Sequence, residues 1–221
     1  MFVGIDIAER RGCAWCILDR HYRSIATGWV DYDSQPRRTA ESLREALQAA
    51  GVARRAAVGI DAPRMPLSRS RRCRWTKNGW SHCREGIVGR HCEVVIRALG
   101  LANPQWTPTK EAAPGWMRVG FELFELLGRD YETLEVFPSA SYKMLDGASM
   151  PCITLPMRSF RRGPKDMLDA HVAALTVAEF KSGRGCEVGG GDGLGTIVLP
   201  RRLEECDPAI HLWPGHRGVL K

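Results

Sequence analysis

The sequence predicts an α/β fold in which a mixed five-stranded sheet carries helices on both faces. Three observations predict it. Three short strand-like runs follow one another at the N-terminus, helical and strand-like periods alternate after them, and the last periodic segment is a long helix. With 221 residues, 44% hydrophobic and 26% charged, the chain holds enough apolar material for one core, or for one core with an insertion.

The first run, FVGIDIA, is apolar and rich in β-branched residues. GCAWCILD follows after a polar turn at Glu9–Arg11, and SIATGWVDYD follows a second turn near Arg20–Arg23. Short connections between three strands make an antiparallel meander. Between Pro36 and Gly51, Ala40, Leu43, Leu47 and Ala50 recur at helical spacing, and Gly51 is placed to end that helix. RAAVGIDAP is then a continuous apolar run closed by Pro63. It reads as a buried strand, and a strand after a helix is commonly parallel to its predecessor.

From about residue 64 to 108 the pattern is irregular, with basic residues, tryptophans and glycines interleaved around one short helical stretch at Glu93–Leu99. This segment reads as an insertion after the fourth strand, over one end of the sheet. PGWMRVGFELFELLGRD places Met117, Phe121, Phe124 and Leu127 on one helical side, ended by Gly128. TLEVFP is the fifth strand, a long helix spans Pro164 to Lys181, and VGGGDGLGTIVLP gives a glycine-rich turn and a short closing strand. This order of elements is the ribonuclease-H-like arrangement, expected here as one domain over residues 1–221.

The bulk numbers narrow the function classes. No run of eighteen apolar residues is present, so no membrane span is expected, and the N-terminus enters a strand without a basic and then apolar leader, which predicts a cytoplasmic location. The net charge is +7, largely from arginine, whose flat guanidinium suits phosphate. A nucleic-acid partner is compatible with that surface, and so is an arginine-rich composition with no partner. The eight cysteines lack the spacing of a small secreted framework and are expected as reduced thiols. Cys13 and Cys16 form a CxxC, but on a strand positions three apart point to opposite faces, which argues against a shared metal or redox role.

The chemistry is expected at carboxylates set in apolar surroundings. Asp6 sits within VGIDIA, Asp61 ends AVGIDAP, and Glu135 sits in TLEVFP. An ionised carboxylate there is costly unless it is paired or holds a metal. Asp61 also lies at the carboxyl end of its strand, where open α/β sheets carry ligands. Asp166 and Asp169, three apart on the last helix, share one face, and Ala170, Ala173 and Ala174 let that helix come close to the sheet. Convergence of these acids would build an oxygen site suited to Mg²⁺ or Mn²⁺. Plainer readings stand beside this one: a satisfied buried acid at Asp6 or Asp61, an arginine partner for Glu135, and a first-turn acid favoured by the helix dipole at Asp166.

The segments GIDIA, GIDAP, WMRVGFELFELL, LEVFPSASY and KDMLDAHVAALT, in this order, resemble the domain of unknown function 429 family of predicted ribonuclease-H-like nucleases. The likeness runs from Phe2 to Pro200 and takes in GGGDGLGTIVLP. The pattern of Asp166, Asp169 and Ala170 is also similar to the closing helix of Holliday-junction resolvases, which share that fold and carry metal-binding acids there. The resemblance implies metal-ligand roles for Asp6, Asp61 and Asp169, with Asp166 and Glu135 as supporting acids.

Other clusters carry weaker signals. Cys73, His82, Cys83, His91 and Cys92 include enough ligands for a tetrahedral zinc site, but without the spacing of a known ribbon or finger. Arg64 opens the insertion, and Arg69, Arg71, Arg72 and Arg74 with Trp75 and Trp80 combine cations with stacking surfaces suited to single-stranded or distorted nucleic acid, or form a solvated loop with its tryptophans folded under. Arg158, Arg161, Arg162 and Lys165 precede the last helix, placed to hold phosphates or to balance the acids. The expected function is a divalent-metal-dependent nuclease. The alternative is a non-catalytic nucleic-acid or protein binding module on the same fold. An actin-like phosphotransferase needs a second domain and a second phosphate loop, and the chain has neither the length nor the motif.

Overall fold

Strand β1 (Phe2–Ala8) forms the middle of the sheet, between β2 (Gly12–Leu18) and β4 (Ala57–Asp61). β2 and β3 (Ser24–Val30) complete an antiparallel meander with β1, whereas β4 runs parallel to β1 and β7 (Glu132–Glu135) parallel to β4. The order is β3-β2-β1-β4-β7, so the sheet is mixed and five-stranded, in the ribonuclease-H-like arrangement. Strands β5 (Cys73–Thr76) and β6 (Gly79–His82) form a separate hairpin within the insertion. The structure is a computed structural model and describes residues 1–68, 73–82, 89–145, 153, 162–203 and 207–213.

Alternation along the central strands decides which helix meets which face. Val3, Ile5 and Ile7 of β1 and Val58 and Ile60 of β4 point to one side. There they join Ala40, Leu43 and Leu47 of α1 (Pro36–Ala49) and Val119, Leu123 and Leu127 of α3 (Gly115–Leu127) in one core. Burying each valine, leucine or isoleucine side chain there contributes about 1.5–3 kcal/mol before entropy is counted. On α3 the buried stripe includes Met117, Gly120, Leu123, Phe124 and Leu127, while Phe121, expected among them, is only partly buried. Gly120 explains the offset, because its missing side chain lets the helix rest on Ala62.

The other face carries α5 (Pro164–Lys181), buried along most of its length. Gly4 and Gly59 are register partners on this face. A β-carbon on Gly4 would collide with the Ala170 carbonyl oxygen, and one on Gly59 would lie 2.6 Å from Val177. Two glycines on the sheet and three alanines on the helix thus bring backbone against backbone.

The insertion does not stand alone. Cys92, Val95 and Ile96 of α2 (His91–Ala98) pack with Ala140 of α4 (Pro138–Met144) and with the closing hairpin of β8 (Cys186–Gly189) and β9 (Thr196–Leu199). A bridge between Val136 and Val198 ties this second core to the end of β7. No helix among the described residues is long and apolar enough to cross a membrane.

Candidate functional site

β1 and β4 each carry Gly-Ile-Asp, at residues 4–6 and 59–61, and the two tripeptides are in register. The glycines admit α5, and the aspartates two residues on face the same side at the carboxyl end of the parallel pair. Asp6 and Asp61 are register partners and their carboxyls lie within hydrogen-bond reach of each other. Burial raises Asp6 well above the ordinary carboxylate range, and the charges of Asp61, Asp169 and Asp166 raise it further. Burial likewise pushes Asp61 up to about 8, the charge of Asp169 adding to the rise while the hydrogen bond to Asp6 and the charge of Lys165 pull it back. Two acids this close share a proton unless a cation neutralises them.

α5 supplies the remaining acids from its first turns. Asp169 accepts from the Tyr142 hydroxyl at 2.8 Å, and Lys165, one turn earlier, donates to both of its oxygens. Burial and the hydrogen bond to Asp169 raise the Tyr142 phenol, so it stays a donor. Asp166 is held by Arg11 in the β1–β2 turn, whose Nη2 donates to Oδ1 at 2.7 Å and whose Nε donates to Oδ2. Asp6, Asp166 and Asp169 are all buried, and Asp61 is partly buried. The four aspartates singled out in the sequence therefore meet at one edge of the sheet.

Glu135 belongs to a neighbouring cluster. Arg90 Nη1 donates to its Oε2 at 2.7 Å and Nη2 to its Oε1, and the Arg64 backbone N–H donates to Oε2 at 2.8 Å. Arg90 also bonds Glu93 through Nε and its backbone N–H, each at 3.0 Å, and Thr107 donates to Glu93 through backbone and side chain. Arg90 and Glu135 are almost wholly out of water. Both Glu135 oxygens are engaged, so its role in this arrangement is a buried ion pair beside the aspartates.

Oxygen-only donors suit a hard divalent cation, and the opposed carboxyls of Asp6 and Asp61 are the arrangement such an ion relieves. Asp6, Asp61 and Asp169 are the residues that could hold it. Among the described residues, no three histidine, cysteine or carboxylate side chains already surround a common point as a formed metal centre. At Asp169 both oxygens are already engaged by the Lys165 ammonium.

The basic residues expected at a nucleic-acid surface are partly spent inside the fold. Arg64 donates to the Thr133 carbonyl and stacks over Phe124, and Arg162 lies over Trp29 and bonds Asp31 and the Arg11 carbonyl. Lys165 is on Asp169. Trp75 packs edge-on against Trp80 and joins the second core. Arg72, Arg158 and Arg161 lie outside the described residues, as do Arg69, Arg71 and Cys83, and of Cys73, Arg74 and His82 only the backbone, in β5 and β6, is described. His91 has both ring nitrogens engaged, by the Ile210 carbonyl and the Gly191 N–H, and Cys92 is a buried thiol raised by burial. Cys13 and Cys16 point into different cores on opposite faces, and burial pushes both thiols up to about 12.

Beside the acids a cleft of about 360 Å³ opens, with Asp61 and Glu135 in its wall. Arg90, Glu93 and Trp116 line it, with Asn103 and Gln105 exposed at its edge. Trp116, Arg11, Tyr142 and Arg90 were not legible as site residues. Trp116 reads as one more helix residue, and the other three acquire meaning only through partners far along the chain.

No family model, no curated protein and no solved structure matches the chain.

Proposed function

We propose that this protein is a divalent-metal-dependent nuclease in which Asp6, Asp61 and Asp169 hold Mg²⁺ or Mn²⁺ against a phosphodiester. The observation that carries the reading is the register pair Asp6–Asp61, two acids held together in a buried place where neither can ionise freely. Catalytic carboxylates are commonly found strained in this way, because the geometry that destabilises them is the geometry a substrate complex uses. The resemblance of the Gly-Ile-Asp segments and of the last helix to the family of predicted ribonuclease-H-like nucleases points the same way.

When bound, such an ion supplies Lewis-acid activation of water and neutralises charge on the phosphate. The chain's own residues do the rest. Tyr142 orients Asp169, Arg11 fixes Asp166 at the helix start, and Lys165 holds a positive charge at the site's edge, within reach of a phosphate once it leaves Asp169. In the overall reaction the water oxygen bonds phosphorus, the bond to the 3′-oxygen breaks, and a proton ends on the departing oxygen.

Cleavage of DNA, RNA, hybrid and branched-junction substrates with Mg²⁺ or Mn²⁺ tests the reading, with Asp6→Asn as the comparison. Activity in the wild type and its loss in the variant are expected. Equal activity in both, or none on any substrate, removes it.

A second reading, a binding module without turnover, draws on the ion pairs Lys165–Asp169 and Arg11–Asp166, which neutralise two of the acids internally. It predicts binding that weakens steeply as salt rises, with no cleavage.

A further inference from the structure

The nuclease reading concerns only the acids, and leaves unexplained the cleft that begins at Asp61 and runs away from them. Its volume of about 360 Å³ falls within the range of small-ligand sites and is larger than a phosphate needs. Its wall combines an indole with aliphatic and carboxylate groups. Trp116 is half-buried at the start of α3, and Phe137 and Val136 continue the apolar lining past Glu135. The polar groups at its back are spoken for, because Arg90, Glu93 and Glu135 bind one another. An anion entering there would meet the carboxylates of Glu9, Asp61, Glu93 and Glu135, with Arg90 the one cation among the lining residues, so a second phosphate is a poor occupant. Exposed at the edge are Asn103 and Gln105, whose amides both donate and accept.

A flat, uncharged ring with mixed donors and acceptors on its rim matches this wall and edge. A nucleobase is such a ring. Within a duplex it is stacked and paired, and it reaches a pocket only when it is swung out or already unpaired. Since Asp61 belongs to both the cleft and the acid cluster, a base in the cleft and a phosphate at the acids are neighbours on one strand.

We propose that the cleft lined by Trp116 and edged by Asn103 and Gln105 is a nucleobase pocket that receives an unpaired base next to the phosphate held at the acids. The proposal rests on the nuclease reading for its substrate and makes the site selective for strands with an unpaired nucleotide.

The test compares two duplexes that differ at one position, an unpaired nucleotide in one and an abasic residue in the other. Binding is followed by fluorescence anisotropy with Ca²⁺ in place of Mg²⁺, and cleavage is followed separately with Mg²⁺. The wild type is expected to prefer the duplex with the base, and Trp116→Ala to lose about tenfold of that preference, the scale of one base–aromatic stack. Trp116→Phe, which keeps a stacking ring, should retain most of it. Should Trp116→Ala melt early, Gln105→Ala on the exposed edge provides the second variant, with a changed ranking of the four bases as its readout.

Equal binding of the two duplexes by the wild type overturns the pocket, and so does a preference that survives both Trp116→Ala and Gln105→Ala. A nucleoside monophosphate that competes while the two duplexes bind equally assigns the cleft to a free nucleotide and overturns the strand-bound base. The two readings fail separately. Base preference without cleavage upholds the pocket and removes the nuclease. Cleavage indifferent to the base and to Trp116 upholds the nuclease and removes the pocket.

Discussion

Gly4 and Gly59 lie side by side in β1 and β4, and α5 rests its backbone on both. The approach is close enough that the aspartates two residues further along each strand come under the first turns of α5, where Asp166 and Asp169 project. The acid cluster is thus a consequence of how near a helix can lie to a sheet. Gly4→Ala should destabilise the protein by about 3 kcal/mol, at the upper end of overpacking costs because the obstacle is backbone. Gly51→Ala, with open space around it but a φ of +75°, should lose only about 1 kcal/mol. Urea midpoints check the pair, and equal losses would contradict the close-approach account.

Replacing Asp61 by Asn should stabilise the metal-free protein at alkaline pH. In the unfolded chain this carboxyl gives up its proton near pH 4, whereas in the fold it keeps it up to about 8. The stability tied to that proton is full below about pH 4 and is lost as the pH rises to about 8. Asn bears no such charge, so in chelator the variant should exceed the wild type by more than about 1 kcal/mol at pH 8, since holding a proton through each further pH unit is worth about 1.4 kcal/mol. At pH 4 the advantage should vanish. Thermal melts at the two pH values decide it, and added Mg²⁺ should narrow the gap at pH 8 by stabilising only the wild type.

Lys165→Met should tighten Mn²⁺ binding, because the ion no longer has to displace an internal ammonium from Asp169. The side chain of Lys165 is 62% exposed, so the pair contributes at most about 1 kcal/mol and the gain should not exceed about fivefold. Calorimetric titration reads it directly. Weaker binding in the variant would mean that Lys165 assists the site and does not compete with it.

Arg90→Met should cost about 3–5 kcal/mol, since it leaves Glu135 and Glu93 buried without their cation. Chemical denaturation measures the loss. A change below about 1 kcal/mol would show that these acids protonate or hydrate cheaply, and would reopen Glu135 as a supporting acid of the site.

Much of the fold was legible because its central pieces carry distinct patterns. β1 is an apolar run rich in β-branched residues, α1 has a one-sided helical stripe, and the Pro164–Lys181 helix, buried on nearly every side, has its bounds in the sequence. The acids were legible for a related reason, since a charge inside an apolar strand contradicts its surroundings. Shorter elements escaped. The β5–β6 hairpin is signalled by Asn78–Gly79 between two tryptophans, a turn signature lost in the basic run before it. Helix α4 begins at Pro138, a helix-start residue that reads equally as the end of a strand. The partners escaped altogether: Arg90 lies 45 residues from Glu135 and Arg11 lies 155 from Asp166, and no local pattern joins such pairs.

The buried quartet of Arg90, Glu93, Thr107 and Glu135 has one more implication. Each polar atom there already has a protein partner, so this side of the cavity has a single shape and little freedom to yield. A molecule that fits badly would be turned away instead of being accommodated. Discrimination would then come from rejection by a stiff surface.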